Sequence, residues 1–145
     1  MTALVLLAVP VVLVCAGSGS CRGASASASA ATKECIECHA QVSPGIMGDW
    51  ERSRHAGVSP REALDRLQLG RRVSAAEIPA RLLDHAVGCA ECHTLNSESH
   101  QDSVEHNGYQ MHLVVTPADC AVCHPAETEQ YSENLMSRAY GNLVD

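Results

Sequence analysis

A five-residue pattern, Cys-x-x-Cys-His, occurs three times in this chain and limits its possible folds more than any other feature. Its copies span Cys35–His39, Cys89–His93 and Cys120–His124. Proteins use this pattern to attach haem c, because the two thiols bond to one porphyrin and the following imidazole binds its iron. The spacing also places all three side chains on one face of a helical turn. The sequence therefore predicts three covalently bound haems c.

Each copy of the pattern assigns the same roles to its residues. The predicted attachment residues are Cys35, Cys38, Cys89, Cys92, Cys120 and Cys123, and the predicted proximal iron ligands are His39, His93 and His124. Pairs of cysteines with this spacing also bind zinc. Three copies that all keep the histidine, in a chain with an apolar leader, favour haem over zinc.

The chain has few aromatic side chains from which to build a core. Aromatic residues make up 3% of the 145 residues, with no phenylalanine and a single tryptophan, Trp50. Aromatic rings usually supply much of the buried apolar area of a domain. Porphyrins are large apolar bodies, so we expect the haems to replace side chains in the core.

The charge balance argues against one class of partner. Seventeen Asp and Glu residues outnumber ten Lys and Arg residues, and the formal net charge is −7. This sign argues against nucleic-acid binding. Lys33 is the only lysine. The remaining cations are arginines, which suit bidentate pairing with carboxylates such as haem propionates.

The amino-terminal residues differ in composition from the rest of the chain. Residues 3–16 form an apolar run of signal-peptide length, too short for a comfortable membrane span. We divide the chain into a signal peptide with a Ser/Ala-rich linker (1–31) and a three-haem cytochrome c domain (32–145). Haem c is attached outside the cytoplasm, so we expect an exported, periplasmic protein. The sequence leaves open whether Cys15 or Cys21 carries a lipid anchor; membrane contact is expected only through such an anchor or an uncleaved leader.

Helix signals dominate the region that carries the motifs. Three capping patterns predict helix starts, at Ser59, Ser74 and Thr116. Helical composition is found over 49–56 and 126–140, and residues 59–87 are expected to form a helical scaffold between the first two motifs. Residues 109–115 alternate like a short strand, but we find no set of strands able to form a sheet. We therefore expect a mainly helical, loop-rich fold.

Five histidines lie outside the motifs and are available as second, distal iron ligands. They are His55, His85, His100, His106 and His112. An iron held between two histidines is closed to substrates, as suits electron transfer, whereas an iron without a distal ligand is an open catalytic position. The residues alone leave the pairing open.

The order and context of the motifs resemble the amino-terminal part of the octahaem hydroxylamine oxidoreductase family of multihaem cytochromes c. The resemblance covers the first motif followed by Trp50-x-x-Ser53-x-His55, the second motif preceded by Val87-Gly88, His106, and the third motif preceded by Thr116-Pro117-Ala118-Asp119. It implies closely stacked haems with two histidine ligands each, in a protein that handles hydroxylamine or nitrite. It also implies His55 and His106 as distal ligands.

Two features depart from that family. The family carries eight haems and reacts at the fourth, whereas five motifs, the catalytic one included, are absent here, and the abrupt end of the chain suggests truncation. The family also implies a ligand histidine in the helix after the third motif, where this chain has Arg138. Either one haem lacks its ligand, or His112, His100 or His85 replaces it. We include His112 among the predicted iron ligands and assign no catalytic residue.

These observations predict a periplasmic cytochrome that passes electrons along stacked haems in nitrogen-oxide metabolism. Its expected partners are redox proteins, either other cytochromes or a quinol-linked protein, and the oligomeric state stays open. The alternative is a fragment or variant of a hydroxylamine oxidoreductase-type enzyme with an open catalytic haem. A zinc-binding Cys/His protein is the third hypothesis.

Overall fold

Helices and turns make up most of the fold. The computed structural model describes residues 26–139, so the predicted leader, Cys15, Cys21 and residues 140–145 lie outside the described part. The α-helices are α1 (Ala30–Val42), α2 (Pro44–Glu51), α3 (Arg54–Gly57), α4 (Pro60–Leu64), α5 (Ala80–Leu83), α6 (Cys89–His93), α7 (Pro117–Cys120) and α8 (Pro125–Glu133). Two 3-10 turns span Ser97–Ser99 and Leu135–Arg138, and two strands span Val104–His106 (β1) and Tyr109–Met111 (β2). The prediction of a mainly helical, loop-rich fold is confirmed. Within residues 26–139 no helix is both long and apolar enough to cross a membrane.

The three motifs occupy different helical settings. The first lies inside α1, which has 13 residues, and the second is the whole of α6. The third begins on the last residue of α7 and ends at His124, the residue that precedes α8. The first two motifs therefore lie on continuous helical turns, whereas the third spans the turn between two helices.

Thr32 joins α1 to α6 and so connects the first motif to the second. Its side chain is fully buried. The Thr32 hydroxyl donates to a carboxylate oxygen of Glu91 at 2.6 Å and accepts from the Ala90 backbone N–H at 3.1 Å. Glu91 also accepts from the Gly88 N–H at 2.9 Å, at the start of α6. These bonds fix α6 against α1.

A break in the predicted helix over 49–56 places His55 beside the second motif. Helix α2 ends at Glu51, and α3 begins after Ser53, whose hydroxyl caps it by accepting from the Ala56 N–H at 3.3 Å. The Trp50 indole donates to the Val87 carbonyl at 2.9 Å, and the Val87 N–H donates to the His55 carbonyl at 3.0 Å. The backbone of α3 is thus fixed next to the residues that lead into α6.

Residues 59–87, expected as a scaffold between the first two motifs, also pack against the third motif. The buried apolar residues here are Ala75, Ile78 and Leu82, and the side chains packed against them are Leu64, Leu83, Val122 and Cys123. The Ala75 N–H donates to the Cys123 carbonyl at 3.2 Å. The segment therefore forms one wall beside Cys123.

Two of the three predicted helix starts are confirmed. Capping boxes are present at Ser59, before α4, and at Thr116, before α7. The start predicted at Ser74 is wrong, because the next helix, α5, begins only at Ala80. The Ser74 hydroxyl instead accepts from the Ala126 N–H at 3.0 Å and donates to Glu127, so it supports the first turn of α8.

A two-stranded hairpin carries His106. Strands β1 and β2 pair antiparallel, with His106 opposite Tyr109. Asn107 and Gly108 form the turn with φ of 51° and 82°, the left-handed conformation that tight hairpin turns require. The Tyr109 hydroxyl donates to Glu34 on α1 at 2.9 Å. The short strand predicted within 109–115 is confirmed at Tyr109–Met111, whereas the expectation that no set of strands forms a sheet is wrong for this hairpin. The Asn-Gly dipeptide was the signal that it missed.

Candidate iron sites between paired histidines

Each motif histidine faces one histidine from outside the motifs. The ring centres are 6.3 Å apart for His39 and His106, 6.0 Å for His93 and His112, and 6.2 Å for His124 and His55. A metal ion held between two imidazoles, about 2 Å from each ligating nitrogen, separates the ring centres by about 6 Å. Each of the three pairs therefore has the spacing that one shared metal ion requires.

The motif histidines direct Nδ1 toward neighbouring polar groups. Nδ1 of His93 lies 2.8 Å from the His112 carbonyl oxygen. A carbonyl can only accept, so Nδ1 carries the hydrogen and Nε2 keeps a lone pair for a metal. In the other two motifs Nδ1 of the histidine lies near the Ser43 hydroxyl, at 3.5 Å, and the Glu127 carboxylate, at 3.9 Å.

His112 shows the clearest need for a metal bond. Its side chain is 0% exposed, and neither Nδ1 nor Nε2 has a hydrogen-bond partner. Leaving a buried polar group without a partner costs about 1–3 kcal/mol, so such groups need an explanation. An iron bond to one ring nitrogen would supply the partner, and the residues present therefore fit the predicted cofactor.

The cysteines place the second motif between the other two. Burial, and then the neighbouring Cys89, raise the pKa of the Cys35 thiol in the first motif. Burial, and then the neighbouring Cys120, raise the pKa of Cys92 to about 11. One cysteine of the second motif is thus close to the first motif, and its other cysteine is close to the third.

The cysteines do not gather as zinc ligands. Within residues 26–139, no motif brings its two sulfur atoms and its imidazole within 4.8 Å of one another. Among the described residues, the side chains gathered in this way are His100, His112 and Asp119. The geometry of the described residues thus gives no support to a zinc centre built from Cys-x-x-Cys pairs.

A cleft, named here the motif-three cleft, opens between the third motif and His55. Its walls include Cys120, Cys123 and His124 of the third motif, Cys92 of the second, and apolar side chains from the 59–87 segment. Its cavity volume is about 190 Å³, and the cleft is partly open to solvent. Mainly apolar walls with a few polar groups are typical of cofactor sites.

Arginines give the motif-three cleft a positive edge. Arg54, Arg66 and Arg72 line it, and none of them forms a salt bridge with a described residue. Arg52 and Arg61, which are outside the cleft, each pair with an aspartate. Arg66 also lies near Glu62 and helps to lower the pKa of that carboxyl, and two carboxylates, Glu91 and Asp119, line the same cleft. Arg54 and Arg72 remain available to an anionic ligand.

The two remaining histidines face no motif histidine. His85 is exposed and makes no ring contact with another histidine in the described part. The His100 ring stacks on His112, with ring centres 3.6 Å apart, and its Nε2 lies 3.1 Å from Asp119. Arg138 is exposed in the last 3-10 turn. His55, rather than any residue near Arg138, lies opposite His124.

Comparisons with known proteins point to the same class of cofactor. No protein-family model matches the chain. A solved structure named "Hypothetical multiheme protein" is similar to it, with a TM-score of 0.77 and 49% sequence identity over 82% of this chain. This chain spans only 23% of the length of that protein. The fold described here is therefore similar to part of a longer protein whose name describes it as multihaem.

Proposed function

We propose that this chain is a multihaem c-type cytochrome that binds three haems and transfers electrons. The observation that carries this proposal is the pairing of every motif histidine with a second histidine, at ring-centre distances from 6.0 to 6.3 Å. The 49% identity to a structure named as multihaem supports haem as the bound group. Haem supplies one-electron redox chemistry when it is bound.

The proposed sites each combine one motif with one distant histidine. The first consists of Cys35, Cys38, His39 and His106. The second consists of Cys89, Cys92, His93 and His112. The third consists of Cys120, Cys123, His124 and His55. In this assignment every iron has two imidazole ligands, so no coordination position is left for a substrate. This favours an electron carrier over an enzyme with an open haem.

The contacts between motifs favour transfer along the chain of sites. The hydrogen bonds of Thr32 hold α1 against α6, which fixes the first site relative to the second. Cys92 and Cys120 line the same cleft, which places the second site next to the third. The proposed path therefore runs through the sites in the order of the motifs.

The arginines of the motif-three cleft have a role in this proposal. Arg54 and Arg72 would hold the carboxylate groups of the third haem, because the guanidinium group suits bidentate bonds to carboxylates. They would also offset the negative charge that those groups bring to an already acidic protein.

The proposal also covers the location of the protein, its metabolism and its redox partners. Export to the periplasm fits the attachment chemistry of haem c and the apolar run at residues 3–16. Resemblance to the hydroxylamine oxidoreductase family favours nitrogen-oxide metabolism. The partners would be other cytochromes or a quinol-linked protein.

The first test counts the haems and determines their spin state. The full chain is expressed with a c-type maturation system, and its intact mass and absorption spectrum are recorded. We expect three added haems, a wholly low-spin spectrum and no binding of cyanide. Fewer haems, or bound zinc in their place, would contradict the proposal. A high-spin fraction that shifts with hydroxylamine would favour the enzyme with an open haem.

A second test examines His55, the distal ligand proposed for the third site. His55→Ala should leave three haems on the chain and turn one of them high-spin and able to bind cyanide. His85→Ala is the matched control, because it removes an exposed histidine that faces no motif. An unchanged spectrum in His55→Ala would exclude His55 as a ligand.

A further inference from the structure

His112 has strong restraints on its backbone and few on its ring. Its N–H donates to the His93 carbonyl at 2.9 Å, and its carbonyl accepts from Nδ1 of His93 at 2.8 Å. These two bonds fix the backbone beside His93. No hydrogen bond holds either ring nitrogen of His112, so hydrogen bonding leaves the rotation of the ring undetermined.

The ring of His100 supplies the missing restraint. It lies flat against His112, with ring centres 3.6 Å apart and planes only 4° from parallel. The side chain of His100 is itself nearly buried, at 7% exposure. Its Nε2 lies 3.1 Å from Oδ1 of Asp119, and its Nδ1 lies 3.7 Å from the Asp102 carboxylate.

Asp119 is a rigid support for His100. Its Oδ2 accepts from the Thr116 N–H at 2.8 Å and from the Thr116 hydroxyl at 2.9 Å, in the capping box of α7. Its Oδ1 accepts from the Asn96 side chain at 3.5 Å as well as from His100. Nε2 of His112 lies 3.7 Å from Oδ2, which is too far for a hydrogen bond. The carboxylate therefore hydrogen-bonds to His100 and lies near His112 without a hydrogen bond to it.

The same three side chains do not form a separate metal centre. A metal ion binds an imidazole in the plane of the ring, along the nitrogen lone pair. The planes of His100 and His112 are almost parallel and 3.6 Å apart at their centres, so one ion cannot lie in both planes. The stack is thus a packing contact between rings.

We infer that His100 is a positioning residue that sets the rotation of the His112 ring, and with it the angle between His112 and His93. That angle is 47° between the two ring planes. The inference rests on the proposed function, in which both rings bind one iron. The angle between axial imidazole planes determines the electron paramagnetic resonance signal of a low-spin ferric haem, so the rotation is measurable on the haem-loaded protein.

Three substitutions separate stacking from hydrogen bonding. His100→Phe keeps a flat ring against His112 and removes the bond to Asp119. His100→Gln keeps an N–H donor for Asp119 and removes the ring. His100→Ala removes both, and His85→Ala is the control at an exposed histidine. The signal of the second haem is identified as the one that is lost in His112→Ala.

We expect the second-haem signal to move to a new position in His100→Ala and His100→Gln, with three haems retained by mass. It should stay at the wild-type position in His100→Phe and His85→Ala. Normal signals in His100→Ala or His100→Gln, or a displaced signal in His100→Phe, would overturn the positioning role. If His100→Ala loses its haem, His100→Phe and His100→Gln decide the question. A wild-type protein without three low-spin haems would refute the proposed function instead.

Discussion

At Gly88 the chain approaches α1 so closely that no side chain fits. A Cβ atom there would lie 2.4 Å from Cγ2 and 2.7 Å from Oγ1 of Thr32. Real Cβ atoms do not come so close to other heavy atoms, and Thr32 cannot move without losing its bonds to Glu91 and Ala90. This single position therefore controls how α6, which is the second motif, lies on α1.

Gly88→Ala should lower the free energy of unfolding by about 1–3 kcal/mol, the usual cost of overpacking. Thermal or denaturant unfolding of the haem-loaded protein measures the loss. Gly57→Ala is the control, because a Cβ there meets nothing within 4 Å. Thr32→Ser removes Cγ2 and keeps the hydroxyl. It should therefore lower the free energy of unfolding less when Gly88→Ala is also present than when it is made alone. Additive effects of the two changes would contradict the clash.

The sequence could identify half of each proposed iron site and not the other half. The spacing within one helical turn brings Cys89, Cys92 and His93 together, so this set is readable from the chain. The sequence does not distinguish His112 from His100 as a candidate ligand, since both lie between the second and third motifs in a region without helical periodicity. Only the tertiary structure, which buries His112 against His93 and stacks His100 behind it, distinguishes them.

The β1–β2 hairpin is the element that brings His106 to α1. Its turn depends on two consecutive residues with positive φ, which glycine adopts freely and asparagine tolerates. The hydrogen bond from Tyr109 to Glu34 then holds the hairpin beside the first motif. The conformation of the turn therefore helps to position His106 in the first proposed iron site.

Gly108→Ala should weaken the turn by about 1–2 kcal/mol, because a Cβ is unfavourable at positive φ. A fraction of the first haem should become high-spin while all three haems stay attached. Absorption spectroscopy and intact mass measure the two quantities. Gly108→Asn is the matched control and should stay close to wild type. A low-spin spectrum in Gly108→Ala would show that His106 binds without help from the turn.

The start of α4 gives a prediction for pH. The Ser59 backbone N–H, and then its hydroxyl, bond to Glu62 and lower the pKa of that carboxyl below its usual 4.5. A lowered pKa means that the stabilisation is present above pH 4.5 and is lost as the pH falls through the folded-state value. The difference in melting temperature between wild type and Glu62→Gln should therefore vanish in acid.

The matched control for this change is Glu77→Gln, which removes the same charge from an exposed loop. The difference in melting temperature between wild type and Glu77→Gln should not vanish at low pH. A difference between wild type and Glu62→Gln that stays constant from neutral pH to pH 3 would exclude the capping carboxylate as its source.

Capping boxes could be predicted because they depend only on local sequence, as at Ser59 and Thr116. Helix length could not be predicted, because it depends on tertiary contacts. The region after Ser74 has the composition of a helix, yet the Ser74 hydroxyl bonds to Ala126, and only Ala80–Leu83 is helical. Short helices connected by loops surround the motifs and leave the space that the porphyrins are proposed to fill.

The acidity of the whole molecule should control its reactions with charged redox agents. The formal net charge is −7 before any haem carboxylate is added. Electron exchange with the cation hexaammineruthenium should slow as salt is added, and exchange with the anion hexacyanoferrate should become faster. The reason is that the screening length falls from about 30 Å at 0.01 M salt to about 3 Å at 1 M. Stopped-flow kinetics measures both rates, and equal salt dependences would contradict long-range steering by charge.

The histidine pairs also constrain the order in which the protein matures. His39 pairs with His106 and His55 with His124, so these two connections overlap along the chain. The pair of His93 and His112 overlaps the first connection and lies inside the second. In a chain that is exported amino end first, the thiols for the first two proposed haems emerge before their second ligands, His106 and His112. All three pairs then close within the short stretch from His106 to His124. Under the proposed assignment, distal ligation would be a late and nearly simultaneous step, and fragments that stop before His106 should carry haems with one protein ligand each.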